Sequence, residues 1–431
     1  MQKPKKTALV WFRNNLRVAD NTALAEAVKN HAKVIAYASV PLSMFEMHPL
    51  GFKKTERFRA KFLLESLTDL KYELKKLNIS LVVSTEGSSE LPALCARFEV
   101  SDVYMQKEWT RDEKEEASFL PSSVTKHSYF DQFLFHPDDI PMSVESLPEI
   151  FTVFRKACEK QVEVRPYKPL PVPMPKDNLL KDVGVFPTMS TLGFEDFEVD
   201  LRSVFPFHGG AAAAAERLDH YFWKTKRLSY YKKTRNGLIG TDYSSKFSPW
   251  LANGSLSARA IYWAIKNYEK DIVKNQSTYW LIFELIWRDY FKFLSLKHTN
   301  RFFLVGGIKE KLYSWREDMG DFTSWIEGTT KETFVNANMI ELKKTGFMSN
   351  RGRQNVASFL TKQLQIDWRW GAQYFESMLI DYDVHSNYGN WMYNSGVGND
   401  PRDRVFNVRL QAERYDPSSK YQKIWLQNNL F

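Results

Sequence analysis

The chain has 431 residues, more than the roughly 250–300 that one hydrophobic core sustains, so at least two domains are expected. Its hydrophobic and charged shares, 43% and 26%, are those of an ordinary globular chain, and no apolar run of about 18 residues is present to cross a bilayer. The net charge of +9 suits a polyanion such as nucleic acid, although a solvated basic surface gives the same balance.

No secretory leader is legible at the start. The two cysteines, Cys95 and Cys158, cannot supply the four thiolates of a typical iron–sulfur cluster, and the eight histidines show no paired metal-ligand spacing. We therefore expect a soluble cytoplasmic protein without a protein-bound metal. The aromatic share of 15% is high, an excess that needs a use.

In chain order, "TALVWF" (7–12), "KVIAYASV" (33–40), "SLVVS" (80–84) and "SDVYMQ" (101–106) read as strands, each β-branched or aromatic and bounded by polar residues. Between the second and third, Phe58, Phe62, Leu63, Leu67, Leu70, Leu74 and Leu77 form an apolar stripe at helical spacing. This βαβ alternation predicts a parallel sheet that binds ligands beyond the carboxyl ends of its strands, without a glycine-rich dinucleotide fingerprint. Residues 165–175, "RPYKPLPVPMP", carry five prolines and read as an extended linker. From "GGAAAAAERLDHYFW" (209–223) onward the periodicity is helical, with "STYWLIFELIWRDYFKFL" and "RQNVASFLTKQLQIDW" as long helices.

Three helical segments place polar residues where a core helix carries Leu. Glu284, Trp287 and Arg288 lie at i, i+3 and i+4; Asn350, Arg353 and Gln354 repeat that spacing; Asp383, Asn387 and Trp391 lie at i, i+4 and i+8. Each set alone is equally a solvated face or a buried ion pair. Together, beside aromatics, they suggest a large ligand with polar edges and an apolar body. In "TDYSSKFSPWLANGSLSAR" (241–259), Ser244, Ser245 and Ser248 form either a plain cap or a phosphate site at a helix start.

These segments resemble the photolyase/cryptochrome flavoproteins, most of all the cryptochrome DASH branch. The resemblance rests on "LVWFRNNLR" with "DNTAL", "DYSSKFSPWLA", "ELIWRDYF", "TGFMSNRGRQNVASFL" and "NYGNWMYNSGVGNDPR", and covers nearly the whole chain. It implies an α/β antenna domain (1–140) with a parallel, Rossmann-like five-stranded sheet, a linker (141–208) and an all-α FAD-binding domain (209–431). It places Tyr231, Ser244, Ser245, Phe247 and Ser248 at the phosphates of FAD. Arg353 and Asp381 become an ion pair beside the isoalloxazine, Asp383 a nearby carboxylate, and Asn387 the residue facing flavin N5. Glu284, Arg288 and Asn350 adjoin the cofactor as well. Trp391, Trp368 and Trp315 match a tryptophan chain that carries an electron from the surface to photoexcited flavin.

The same resemblance implies blue- or near-UV-driven repair of cyclobutane pyrimidine dimers in DNA. Glu284, Trp287 and Asn350 match the substrate cavity, and Arg288, Arg351 and Arg402 are candidates for backbone phosphates at its rim. Gln354 and Tyr393 stand where duplex-repairing enzymes carry Met and Trp. That leaves less stacking surface to offset unpairing a base, which favours single-stranded DNA. "TGFMSNRGR" lacks the histidine pair of 6-4 photoproduct repair. Glu108 lies near an acidic contact of the methenyltetrahydrofolate antenna, with a deazaflavin or an empty site as alternatives.

Four positions depart from the family pattern: Asn15 stands for Asp, Thr333 for Pro, Asn336 for Asp and Ile340 for Arg. The chain stops at "IWLQNNLF" without the long extension of many signalling cryptochromes. A monomeric repair enzyme is therefore the first expectation, and a photoreceptor with a signalling or DNA-binding regulatory role the second.

Overall fold

The structure, a computed structural model, describes residues 6–427, so the start of the chain and the last four residues of "IWLQNNLF" lie outside the described residues. Strands β1 (Thr7–Phe12), β2 (Lys33–Ser39), β3 (Leu81–Ser84), β4 (Val100–Gln106) and β5 (Thr125–Tyr129) pair in parallel in the order β3-β2-β1-β4-β5. Every residue of β1 is buried, because the sheet is covered on both faces. One face meets α1 (Thr22–Asn30) and α2 (Arg57–Lys76) through Leu24, Ala27, Leu67 and Leu70. The other meets α3 (Leu91–Arg97) through Leu91 and Leu94, with α4 (Arg111–Ser118) following β4. Within α2, Leu64 rather than Leu63 fills the buried face. The edge strand β5, "TKHSY", buries no residue and so carried no apolar strand signal.

The strand order reverses beside β1, so the crevice beyond the carboxyl ends of β1 and β4 is the topological switch point. Asn14, Gln106 and Glu108 stand there.

After the sheet, residues 130–150 form neither helix nor strand, α5 (Phe151–Gln161) follows, and residues 162–175 again form neither. The helical half comprises α6 (Ala211–Asp219), α7 (Tyr231–Thr234), α8 (Ser248–Ala252), α9 (Ala258–Asp271), α10 (Gln276–His298), α11 (Met319–Glu327) and α12 (Thr333–Thr345). It continues with α13 (Asn350–Ser358), α14 (Trp368–Met378), α15 (Val384–Ser395), α16 (Val408–Tyr415) and α17 (Lys420–Leu426). "RQNVASFLTKQLQIDW" is not one helix. α13 ends at Ser358, a π-helical turn spans Phe359–Gln363, and Ile366 leaves the helical path to bridge with Arg316 before Asp367 caps α14.

The two halves are joined by buried charge and close backbone approach. Arg259 of α9 reaches Asp20 at 3.0 Å and Asp131 at 3.2 Å, all three buried. Asp289 of α10 accepts from the amides of Leu134 and Phe135. Gly254, at φ +74°, passes so near the end of β1 that a Cβ would lie 2.0 Å from the Asn14 carbonyl.

The departures have local explanations. Buried Asn15 accepts from the Arg13 amide while its own Nδ2 lacks a hydrogen-bond partner. Thr333 opens α12 and donates to Gln422, whereas Asn336 bonds to Thr330 through both ends of its amide. Ile340 packs against Gly328 beside the Asn336 carbonyl.

Candidate functional site

Helices α10, α13 and α15 turn their polar sides toward one another and enclose two cavities, of about 260 and 80 Å³, that share Asn350, Arg353, Asp381, Asp383 and Ser386. Asp383 stands just before α15 and caps it, accepting from the Ser386 amide at 2.8 Å, so its spacing with Asn387 crosses the helix start.

Tyr231, Ser244, Ser245, Phe247 and Ser248 line the larger cavity at one end. α8 has only five residues, so its dipole contributes little and the serine loop itself must hold any phosphate. Arg217 fixes that loop from behind, donating to the carbonyls of Thr241, Ser244 and Ser245 and pairing with Asp242 at 2.6 Å. Lys246, in the left-handed region at φ +63°, buries an ammonium that makes no hydrogen bond and lies 3.3 Å from the centre of the Tyr243 ring. Burial holds its pKa well below the ordinary lysine range. Three hydroxyls fit the diphosphate of a dinucleotide, and an anion bound beside them would favour the charged form of the Lys246 amine.

The other end suits a heteroaromatic ring. Arg353 pairs with Asp381 at 2.9 Å, and Lys292 pairs with Asp383 at 2.7 Å. Burial alone would raise the Asp383 carboxyl, but Lys292 foremost outweighs it and holds the group well below the usual carboxylate range. Asn387 commits its Nδ2 to the Ala372 carbonyl at 2.9 Å, which leaves Oδ1 as its acceptor toward the cavity. Trp391 lines the same cavity beside Phe375 and Trp325. Trp368 is buried and bonded to the Val305 carbonyl, and Trp315 is half-buried beside Tyr313.

A third cavity, of about 410 Å³, adjoins these and shares Glu284, Arg288, Asn350 and Ser386 with the larger one. Glu284, Trp287, Asn350, Gln354 and Tyr393 all line it. Glu284 pairs with Arg235 at 2.6 Å and accepts from Trp280 Nε1 at 3.1 Å; burial raises its pKa, and Arg235 opposes that. Trp287 stacks on Phe151 of α5 at 3.7 Å and meets Tyr393 edge-on.

The expected phosphate arginines separate. Arg351 lines the cavity and lies over Tyr415. Arg288 turns inward and is spent on the carbonyls of Gln132 and Leu251, so it is not a rim residue. Arg402 is exposed outside the cavity, and Arg404, two residues on, lines it instead because Asp400 draws it back.

Glu108 lines a small cavity of about 70 Å³ at the switch point with Gln106, Glu113, Gln132, Lys292 and His385. Among the described residues Glu108, Glu113 and His385 form the one group close enough to share a cation. No helix of the described residues is long and apolar enough to cross a membrane.

The sequence reading missed Lys292, Lys246, Arg217, Arg235 and Arg404. Lys292 continues the i, i+4 series of Glu284 and Arg288, and Lys246 lies inside the serine segment, so both were discoverable. The arginines act across the fold and had no local signal.

Residues 8–176 match the family described as DNA photolyase, and residues 280–429 match the FAD binding domain of DNA photolyase. A cryptochrome DASH of Gloeobacter violaceus is 47% identical over 98% of this chain and 85% of its own length. The crystal structure of a Synechocystis sp. cryptochrome superposes with a TM-score of 0.93 and 43% identity, over 99% of this chain and 89% of that one. An archaeal photolyase from Sulfolobus tokodaii, crystallised with two FAD molecules, gives 0.77 and 26% over 98% and 90% of the two chains.

Proposed function

The chain belongs to the photolyase/cryptochrome family, in its cryptochrome DASH branch, and from that membership we propose a light-driven enzyme that splits cyclobutane pyrimidine dimers, preferentially in single-stranded DNA. One observation carries the proposal: Glu284, Trp287, Asn350, Gln354 and Tyr393 line a single cavity that opens beside the flavin cavity and shares Glu284 and Asn350 with it. FAD held there in its reduced form would supply, under blue or near-UV light, the electron needed to open the cyclobutane ring.

The chain's own residues bind, orient and stabilise. Ser244, Ser245 and Ser248, with Tyr231, Phe247 and Lys246, would hold the diphosphate. Arg353 and Asp381 would fix the ring edge, and Asn387 Oδ1 would be the acceptor available to N5–H. Glu284 hydrogen-bonds the base edge of the dimer, and Asn350 adds a second polar contact where negative charge develops. Trp287, backed on one face by Phe151, offers its other face to the flipped bases. Gln354 and Tyr393 leave a polar cavity with little stacking surface, which suits an already unpaired strand. Arg351 and Arg404 take the backbone phosphates. Trp391, Trp368 and Trp315 relay an electron inward, and indole suits that task because its large ring shortens each hop.

We further propose that the molecule works as a cytoplasmic monomer divided at 1–140, 141–208 and 209–431, with methenyltetrahydrofolate as antenna at Glu108. The test is dimer loss from an irradiated thymidine oligonucleotide exposed to light with the photoreduced protein. Restored thymines support the enzyme; dimers that persist beside bound, photoreducible FAD favour the photoreceptor reading.

A further inference from the structure

The cavity at the switch point collects hydrogen-bond acceptors. Glu108 and Glu113 offer carboxylate oxygens and His385 a ring nitrogen, all within 4.8 Å of one another. Gln106, 1% exposed, and Gln132, 6% exposed, line the same space with carbonyl oxygens that make no hydrogen bond. Their amide groups are already given to Glu108 and Asn14, and to the Lys107 carbonyl.

The histidine adds to the excess. Ser295 Oγ receives Trp109 Nε1–H at 2.8 Å and lies 2.8 Å from the Lys292 carbonyl and 2.7 Å from His385 Nδ1. With its hydroxyl donated to that carbonyl, Ser295 can only accept from Nδ1–H. The lone pair of Nε2 is then the one left for the cavity.

The surrounding cations are committed elsewhere. Arg13, just beyond β1, pairs with Glu116 at 2.7 Å; Lys292 pairs with Asp383; Arg288 is held by two carbonyls. Tyr382 and Asp383, between α14 and α15, complete the wall. Two half-buried carboxyl groups face each other there without a free counter-charge, an arrangement that favours the protonated form of Glu108. Burial first, and Glu113 second, push Glu108 up to about 8.

We propose that the Glu108 carboxyl, facing Glu113, holds a proton before the antenna binds, and that the antenna chromophore displaces it with a row of its own N–H donors. The inference rests on the antenna reading of Glu108. The chromophore class follows from the excess of unpaired acceptors on the wall, whose donors Asn14, Lys292 and Arg288 are engaged with protein oxygens. A 2-amino-4-oxopteridine presents adjacent N–H groups to it. A flavin-type ring presents one N–H between two carbonyls, whose oxygens would meet carboxylates. The balance is one carboxylic acid plus ligand giving one carboxylate–ligand complex and one proton released to solvent.

The experiment is calorimetric titration of folic acid into the FAD-containing protein at pH 7, in two buffers of different ionisation enthalpy. We expect about one proton released, and an affinity that weakens about tenfold per unit as pH falls from 8 to 6. Glu113→Gln keeps the α4 capping box, since Gln accepts from the Thr110 amide as Glu113 does, and lowers proton release toward zero. Folate binding with no proton release in wild type overturns the proposal and leaves the antenna reading intact. A deazaflavin that binds where folate does not overturns both. The wild-type proton count decides the matter even if the variant fails to fold.

Discussion

Replacing Lys292 by Met tests how the inner wall of the flavin cavity is held. The ammonium lies 2.7 Å from Asp383 Oδ2, with the two side chains 4% and 11% exposed. Met keeps the apolar stem and deletes the charge, so its cost is that of leaving the Asp383 carboxylate inside without its ion-pair partner, up to about 3–5 kcal/mol. Asp383 also caps α15, the helix that carries Asn387 and Trp391, so flavin affinity falls with stability. The pH dependence has a definite sign. The folded pKa of Asp383 is depressed, so its stabilisation is present above the unfolded carboxylate pKa and is lost as pH falls through the folded one. In Lys292→Met that carboxyl rises instead, so the gap between the proteins is widest at neutral pH and narrows below about pH 5. Urea denaturation of both proteins across that range, followed by tryptophan fluorescence, measures it. A gap under about 1 kcal/mol at pH 7, or one unchanged toward acid, would refute the reasoning.

Glu284→Gln is expected to slow dimer cleavage about ten- to hundredfold with flavin content unchanged, read by repair kinetics on a single-stranded oligonucleotide. Trp391→Phe should abolish photoreduction of bound FAD by an external thiol while flavin still binds, as seen in the bleaching of the flavin absorbance under blue light. Gln354→Met with Tyr393→Trp restores stacking surface and should raise duplex repair a few-fold to about tenfold. Arg404→Gln should lower the salt dependence of single-strand binding by about 0.7 in log–log slope, whereas Arg402→Gln leaves it nearly unchanged.

The sheet was legible because β1 to β4 are apolar on both faces, the mark of a doubly covered parallel sheet, whereas β5 is a polar edge and left no such trace. The break between α13 and α14 was hidden for the opposite reason: Phe359, Leu360 and Ile366 keep an apolar rhythm through a π turn and a bridge. Residues such as Glu284, Asn350 and Asn387 were visible because buried polar groups at helical spacing need an explanation. Arg217 and Arg235 were not, since what makes them matter is the loop carbonyls and the carboxylate they reach across the fold. Arg288 and Arg402 show the limit of placing arginines by type alone: one is consumed by backbone carbonyls and the other is exposed and not part of the cavity lining.

The most direct test compares repair rates for one thymine dimer in a short single strand and in the matched duplex, with the photoreduced protein and its Glu284→Ala variant. Unpairing the dimer costs a few kcal/mol that this cavity does little to offset, so the single strand should be repaired at least about tenfold faster, and the variant should lose the activity on both. Equal rates on the two substrates, or full activity without Glu284, would contradict the account.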